Sequence, residues 1–483
     1  MLLNVVNGIA LVPFYFRFFD LETYGSWLAC QNVVTWLSVL ELGFNLVFTQ
    51  RLVQERPSPE RFAATAGTGL VVTLASAFAV ALAGVCLAFA GDTWMPTLLG
   101  ATASNVDALR LGLCLASIGA AMTMSQAGFT ALASAWLDMD RIGAINVASL
   151  ALGIAGCFVG LWADLGVASL GVAACVRGVA GVVGVAWHVG SAYGSRCSAP
   201  LRFSAAVARD LLRTIALPGL ARVFSTVASN SEATVAAALI DPAAAAALGL
   251  SSRLYDVARL LLVPISYSVF APFADVVLRD GVPRARALYR ELSATTLGLT
   301  MLLLLPALAI NASFVRVWLG AEVFVGERVS LALAAAAFFY TFTNLQSVLM
   351  TAMGLVRESA IISIVDTVLR VLLLMSLPYV VGVVGIPIAG VVAGSATFVF
   401  CSVRLARGLG SRVSDLMPIS ELLALAGGAL VAATIAWWIG PVGSWPELVI
   451  AGTVCAVAAL AYTVTISAST RGHAASAVRK LWR

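Results

Sequence analysis

The chain has few charged side chains and almost no groups that carry acid–base chemistry. Of its 483 residues 11% are charged, two are histidines, and Lys480 is the only lysine. Soluble domains carry about 25% charged residues, so no soluble domain of ordinary size fits in this sequence. The eight cysteines are scattered through apolar stretches without metal-ligand spacing. We therefore predict no catalytic residue and no metal site.

The sequence consists instead of apolar segments from end to end. It is 61% hydrophobic and its mean hydropathy is +0.98. A membrane-spanning helix needs about 20 apolar residues, and this criterion predicts an all-α polytopic membrane protein with about fourteen spans. The predicted spans are residues 2–17, 25–50, 63–90, 108–136, 142–163, 167–190, 214–240, 243–273, 292–312, 329–353, 359–380, 383–405, 420–440 and 446–468. The apolar start lacks a basic region and a cleavage site, so we expect a membrane helix there rather than a signal peptide.

Arginine is concentrated in alternate loops. Twenty of the 29 basic residues follow even-numbered spans or lie in the C-terminal tail. The odd-numbered loops hold four, namely Arg17, Arg110, Arg316 and Arg328. Because basic residues favour the cytoplasmic side of a membrane, this distribution places both termini in the cytoplasm. The net charge of +5 is thus a sign of loop orientation, and we expect no nucleic-acid partner.

Two stretches indicate an internal repeat. SAWLDMDRIGAIN (134–146) and TAMGLVRESAIIS (351–363) each close one predicted helix and open the next. In both, 25 residues separate the arginine from a later turn glycine, Gly166 or Gly382. We predict that helices four to six correspond to helices ten to twelve in a parallel repeat. The predicted domains are an N-lobe at 1–191, a cytoplasmic linker at 192–213, a C-lobe at 214–406, and two further helices with a cytoplasmic tail at 407–483.

Charged residues also lie inside predicted helices, above all in SSRLYDVARLLLVP (251–264). This stretch places Arg253, Asp256 and Arg259 near the middle of the apolar segment 243–273, which as one helix would be about 45 Å long. A charge at the bilayer centre costs roughly 2.5–3.5 kcal/mol on insertion scales. These side chains must therefore face protein or a water-filled cavity. We interpret the stretch as one wall of a polar cavity in a transport protein.

The sequence allows two interpretations of these charges. Nine ionisable residues lie well inside predicted helices: Glu41, Arg177, Arg222, Glu232, Arg253, Asp256, Arg259, Asp366 and Arg370. The first interpretation is mutual pairing, since Asp366 and Arg370 are spaced i,i+4 and Asp256 and Arg259 are spaced i,i+3.

The second interpretation is that some of these residues bind ligands. Arg177, Arg222 and Arg253 lack a nearby carboxylate of their own and are the better candidates for an external anion. The candidates for a coupling Na⁺ or H⁺ are Glu41, Glu232, Asp256 and Asp366.

Several motifs resemble a known family. The run LVPFYFRFFDLETYGSWL, followed by LELGFNLVFTQRL, resembles the opening of the polysaccharide-transport branch of the multidrug/oligosaccharidyl-lipid/polysaccharide (MOP) exporter superfamily. The matching positions are Pro13, Arg17, Tyr24, Gly25, Trp27, Glu41, Leu42, Gly43 and Arg51. Further matches are YSVFAPFADVVLRDGVPRARALYR (267–290) and VRVWLG (315–320). One departure is Glu41, where the family usually has aspartate.

This resemblance implies a Wzx-type flippase with two six-helix lobes around a cationic cavity. Such a protein moves a polyprenyl-pyrophosphate-linked oligosaccharide from the cytoplasmic to the outer leaflet of the bacterial inner membrane by alternating access. The cationic substrate-binding set would be Arg222, Arg253, Arg177, Arg259, Arg370 and Arg17. The implied partners are the lipid-linked glycan, membrane lipid, and a polysaccharide polymerase or chain-length regulator. We expect a monomer with no cofactor beyond a coupling Na⁺ or H⁺.

Other classes fit the sequence less well. A cation-coupled multidrug antiporter of the same superfamily needs carboxylates in its cavity, but residues 1–16 contain none and the buried charge leans basic. A flippase for a peptidoglycan lipid precursor is a close relative of the proposed class and stays open. A membrane glycosyltransferase would need catalytic carboxylates outside, and the longest outer loop, around 91–107, has only Asp92 and Asp107. A pure scaffold would not need buried arginines.

Overall fold

The computed structural model describes residues 8–39, 44–102, 104–136, 138–197, 199–416, 440 and 442–466, together with residues 427, 431 and 434. Every regular element in these ranges is a helix, which confirms the predicted all-α class. Within them, eight helical stretches are long and apolar enough to cross a membrane. The chain is therefore a multi-pass membrane protein.

The described chain divides into two compact units, which are residues 2–246 and 247–483. The first unit contains α1 Val12–Tyr15, α2 Leu21–Ser38, α3 Phe44–Glu55, α4 Pro59–Phe89, α5 Gly91–Leu98, α6 Val106–Ala135, α7 Met139–Trp162, α8 Ala168–Arg196, α9 Ala205–Ser229 and α10 Glu232–Leu239. The next helix, α11 Pro242–Ser251, crosses the boundary. The second unit contains α12 Arg253–Ser268, α13 Phe270–Arg279, α14 Gly281–Leu319, α15 Glu327–Ala352, α16 Val356–Val381, α17 Gly385–Gly408, α18 Val413–Leu416 and α19 Trp445–Ile466.

The core of the first unit is built on close contact between α6 and α8. Helix α6 packs against α4 on one side and α8 on another, and α7 packs against α8. At Gly119 an added Cβ would overlap the backbone of Ala174, and at Gly171 it would overlap the backbone of Gly112. Small residues at such contacts let two backbones approach closely, so that dispersion contacts hold the helices together where lipid supplies no hydrophobic drive.

In the second unit, α15 and α17 pack against each other and α14 lies against α15. The long helix α14 also packs against α19, where Leu297, Met301 and Leu305 meet Ala459 in one apolar cluster. Helix α19 corresponds to the predicted span 446–468. Apart from residues 427, 431, 434 and 440, the predicted span 420–440 lies outside the described residues.

The predicted repeat is visible in the internal packing of the two units. Three residues separate α6 from α7, and three separate α15 from α16. Both later turns contain a glycine with positive φ, +52° at Gly166 and +65° at Gly382, a conformation that favours glycine. Helix α8 packs against both α6 and α7, as α17 does against both α15 and α16. Predicted spans four to six are α6 to α8, and predicted spans ten to twelve are α15 to α17. Their predicted correspondence is therefore seen in the fold.

The segment 205–246 packs within the first unit. Helix α9 contacts α2, α3 and α4, and α10 contacts α2 and α5. The Asn32 side-chain amide donates to the Thr234 hydroxyl at 3.2 Å, and that hydroxyl donates to the Ala29 carbonyl at 3.2 Å. The boundary of the compact units thus lies after α10, later in the chain than the predicted linker at 192–213.

The predicted single helix over 243–273 was wrong, because the segment forms three consecutive helices. Breaks fall at Ser252 and Val269. The break at Val269 follows from Pro272, which lacks an N–H and whose ring clashes with the carbonyl of Ser268 four residues earlier. Pro264 is accommodated inside α12 without ending it.

Substituting Gly119 with alanine should destabilise the protein, because the new methyl group would collide with the backbone of α8. Overpacking of this kind costs roughly 1–3 kcal/mol. Gly143 in α7 is the matched control, since a Cβ there meets no atom within 4 Å. We expect Gly119→Ala to lower the Tm in detergent and Gly143→Ala to leave the Tm unchanged. An equal Tm for both variants would contradict the close contact between α6 and α8.

Candidate functional site

The charged stretch identified in the sequence forms the first turns of α12. Tyr255, Ala258 and Leu262 are buried and recur at helical spacing. Between them, Arg253, Asp256 and Arg259 recur every three residues, and all three are half-buried. Because residues three or four apart share a helix face, the sequence of α12 separates an apolar face from a charged face.

The Asp256 carboxylate is held from two sides. The Ser252 hydroxyl donates to Asp256 Oδ2 at 3.0 Å, and Arg259 Nη2 lies 3.4 Å from Asp256 Oδ1. The side chains of Asp256 and Arg259 are each 39% exposed. This predicted i,i+3 pair therefore forms, yet both of its charges stay accessible to solvent or ligand.

Helix α15 supplies an aromatic partner for the same arginine. The guanidinium carbon of Arg259 lies 4.7 Å from the ring centre of Tyr340. The electron-rich face of the ring attracts the cation and restricts its movement. Sequence reasoning missed Tyr340, because it is 81 residues away and no local pattern marks it.

Arg253 has no such partners in the described chain. Its Nε atom is buried and makes no hydrogen bond, and no carboxylate of the described residues lies within ion-pair distance of its guanidinium. With Asp256 offsetting Arg259, the charged face of α12 carries a net charge of +1. A half-buried guanidinium without a counter-charge favours the binding of an anion.

A buried polar network fixes the start of α12. The hydroxyls of Tyr255 and Ser330 share a hydrogen bond of 2.7 Å. The Asn311 amide donates to Ser330 Oγ at 2.9 Å and to the Ser251 carbonyl at 3.0 Å. The network thereby joins four helices, α11, α12, α14 and α15, at the start of α12. The signal in the sequence was the isolated Asn311 within an apolar run, which pattern reading did not single out.

The second predicted pair lies between α16 and α17 and is buried. Arg370 Nη2 lies 3.5 Å from Asp366 Oδ2, and the Thr397 hydroxyl donates to Asp366 Oδ1 at 2.7 Å. The side chains of Arg370 and Asp366 are only 11% and 19% exposed. Gly390 on α17 leaves room for the guanidinium, because a Cβ there would lie 3.2 Å from Arg370 Nη1. The geometry of this pair is that of an internal salt bridge.

The other predicted residues lie in the first unit. Arg177 is exposed on α8 and forms no ion pair with a described residue. Arg17 is exposed, and its guanidinium carbon lies 5.1 Å from the ring centre of Phe14. Glu232 is half-buried in the first turn of α10. Glu41 and the side chain of Arg222 lie outside the described residues.

The motif near the N-terminus serves local packing. Tyr24 and Trp27 are buried, and a Cβ on Gly25 would overlap the backbone of Pro242 at the start of α11. Asp20 caps α2 by accepting from the Thr23 amide at 2.9 Å. Hydrogen bonds from the Thr23 side chain, and then from its backbone, lower the pKa of the Asp20 carboxyl. Asp20 is therefore a charged cap at neutral pH.

No protein-family model matches this chain, and no curated protein matches it either. Among solved structures it is similar to a multidrug resistance MATE family transporter of the MOP superfamily in an inward-facing conformation. The TM-score is 0.66 and the identity 15%, over 84% of this chain and 94% of that chain. It is equally similar to the lipid II flippase MurJ in an inward closed conformation, with a TM-score of 0.66 and 12% identity over 96% of both chains. A MOP superfamily transporter from Pyrococcus furiosus matches with a TM-score of 0.58, 14% identity, and 85% and 93% coverage of the two chains.

At such identities these likenesses establish the fold. The chain has the helical fold shared by MATE transporters and MurJ. The fold implied by the sequence resemblance is therefore confirmed, and the polysaccharide-transport branch stays a prediction.

Substituting Asp366 with asparagine should destabilise the protein, because it leaves Arg370 buried without a counter-charge. Breaking a buried pair in this way costs about 3 kcal/mol. Asp275 and Arg279 form the matched control, an i,i+4 pair on α13 whose two side chains are more than half exposed. We expect Asp275→Asn to change the free energy of unfolding by less than about 1 kcal/mol. Equal effects of the two substitutions in a thermal-unfolding assay would contradict the buried character of the Asp366–Arg370 pair.

Proposed function

We propose that this chain is a flippase for a polyprenyl-pyrophosphate-linked oligosaccharide. It moves the headgroup across the membrane by alternating access while the lipid tail stays in the bilayer. The observation that carries the proposal is Arg253, a half-buried guanidinium with no carboxylate partner among the described residues. The fold shared with a transporter and a flippase supports it.

The chemistry of the α12 face suits pyrophosphate. A guanidinium presents a planar fork of donors that matches phosphate oxygens in two-point contact. Arg253 supplies one such guanidinium, which has no partner among the described residues. Arg259 supplies a second guanidinium, which the ring of Tyr340 holds in place. Aromatic rings such as Tyr340 also offer an apolar face on which a sugar ring can pack.

The charged residues fit a carrier of cations less well than a carrier of anions. An antiporter for cationic drugs needs carboxylates that are free to exchange cations. Asp366 accepts hydrogen bonds from Thr397 and Arg370, and Asp256 accepts one from Ser252 and forms an ion pair with Arg259, so both carboxylates already have internal partners. The net charge of the α12 face is positive. An anionic cargo is therefore the better fit.

The share of this chain that each solved structure matches supports the flippase class over the drug transporter. The likeness to MurJ extends over 96% of this chain, against 84% for the MATE transporter. The additional 12% is about as long as the two helices predicted beyond the twelve-helix repeat. Because MurJ is described as a lipid II flippase, a peptidoglycan lipid precursor is the second candidate cargo. Both cargoes would present a pyrophosphate to Arg253.

Several details belong to this proposal and come from the sequence. They are the bacterial inner membrane as location, cytoplasmic termini, a monomeric state, and a polysaccharide polymerase or chain-length regulator as partner. The remaining cationic candidates from the sequence, Arg177, Arg222 and Arg17, stay part of the predicted substrate-binding set.

Substituting Arg253 with alanine should abolish glycan export without impairing membrane insertion, because it removes the cation of the α12 face that has no ion-pair partner among the described residues. We expect at least a tenfold loss of surface glycan in a deletion strain complemented with the variant. Arg253→Lys should restore part of the activity, since it keeps the charge but loses the two-point geometry.

Arg279→Ala serves as the control, because Arg279 is an exposed arginine of the same unit that already pairs with Asp275. Normal export from Arg253→Ala at normal protein level would remove Arg253 from the mechanism. Transport of cationic drugs by the wild-type chain, without glycan export, would favour the antiporter.

Transport should depend on an ion gradient if Asp256, Glu232, Glu41 or Asp366 binds a coupling cation. In proteoliposomes, collapse of both the Na⁺ and H⁺ gradients should lower the rate of headgroup translocation at least fivefold. An unchanged rate would show that none of the four carboxylates drives transport.

A further inference from the structure

An extended segment of the first unit, residues 199–204, lies along the start of α4 and is called here the strap. The backbone N–H of Arg202 donates to the Ala63 carbonyl at 3.4 Å, and that of Ser204 donates to the Thr68 hydroxyl at 2.9 Å. Gly67 permits this approach, because a Cβ there would overlap the backbone of Arg202. The strap is therefore fixed at the level of residues 63–68 of α4.

An upright, centred crossing of the membrane by α4 places this level near the edge of the hydrocarbon layer. Helix α4 has 31 residues and is about 46 Å long, whereas the hydrocarbon layer is about 30 Å thick. About 8 Å, or five residues, thus remains beyond the layer at each end. Residues 59–63 then lie among the lipid headgroups, and the strap lies at the boundary between headgroups and acyl chains.

The strap exposes apolar side chains at this boundary. Leu201 is 45% exposed and Phe203 is 59% exposed, on either side of an exposed Arg202. In an extended segment, residues two apart share a side, so Leu201 and Phe203 point together. Two exposed apolar side chains at this depth are placed to contact acyl chains.

Basic side chains surround the same place. Arg56 and Arg202 line two cavities that adjoin at Pro59, and Arg61 is exposed one turn into α4. None of the three arginines forms an ion pair or side-chain hydrogen bond with a described residue. Glu60 lines one of the two cavities as well, so Arg56, Arg61, Arg202 and Glu60 together carry a net charge of +2. Glu55, which accepts from Thr65 of α4, is offset by its ion pair with Arg51.

We propose that the strap and the first turn of α4 form a binding site for an anionic phospholipid, built from residues other than those of the α12 face. The phosphate of the headgroup binds between Arg56 and Arg202, and the acyl chains lie against Leu201 and Phe203. A free anion has no acyl chain that would contact the exposed pair Leu201 and Phe203. Basic residues at the headgroup level attract anionic lipid through the surface charge of the membrane.

The experiment is native mass spectrometry of the purified full-length chain with phosphatidylglycerol, phosphatidylcholine or inorganic phosphate. We expect phosphatidylglycerol to remain bound where phosphatidylcholine dissociates. Arg56→Gln/Arg202→Gln should weaken phosphatidylglycerol binding at least fivefold, and Leu201→Ser/Phe203→Ser should weaken it to a similar extent. The arginine pair can be changed without loss of fold, because the strap is held by backbone N–H groups.

The control is Arg328→Gln, which removes an exposed arginine of the second unit that has no ion-pair partner among the described residues. It should leave phosphatidylglycerol binding unchanged. Equal affinity for both phospholipids, or unchanged binding in the arginine variant, would overturn the proposal. Displacement of the lipid by millimolar phosphate, with no effect of Leu201→Ser/Phe203→Ser, would assign the site to a free anion instead.

Discussion

The desolvation of arginine in an apolar environment is the constraint on which the structure of the second unit depends. A guanidinium cannot shed its proton, so each one buried in a membrane protein needs a carboxylate, water or a ligand. Arg370 is offset by a buried carboxylate, and Arg259 by a half-exposed carboxylate and an aromatic ring. Arg253 alone among these three lacks a carboxylate in the described chain. That difference separates a structural cation from a cation available to a ligand.

Two pairs of similar spacing have different consequences because their surroundings differ. The Asp366–Arg370 pair is enclosed between α16 and α17, where the Thr397 hydroxyl donates a hydrogen bond to the second oxygen of the Asp366 carboxylate. The Asp256–Arg259 pair lies on the open face of α12. Beneath that face, the hydroxyls of Tyr255 and Ser330 and the amide of Asn311 hold the helix in place. A ligand at Arg253 would thus meet a cation on a helix whose position is already fixed, which lowers the entropic cost of ordering the backbone on binding.

Local patterns predicted the features that depend on nearby residues. Apolar length predicted the helical membrane class, i,i+3 and i,i+4 spacing predicted both ion pairs, and glycine predicted the turns at Gly166 and Gly382. Contacts between distant segments were not predictable from one sequence. Tyr340 meets α12 across 81 residues and Asn311 meets Ser251 at the end of α11 across 60, and neither position has a local signature. The packing of residues 205–246 within the first unit was missed for the same reason. The break at Val269 was readable in advance from Pro272, although apolar length alone suggested one continuous helix.

The most direct test is a structure of the protein in a lipid nanodisc with a polyprenyl-pyrophosphate-linked glycan bound. The account predicts a phosphate oxygen within about 3 Å of the Arg253 guanidinium, at the distance of a charge-assisted hydrogen bond, with Arg370 still paired to Asp366. A pyrophosphate bound away from Arg253, with that guanidinium paired to a carboxylate of this chain, would contradict it.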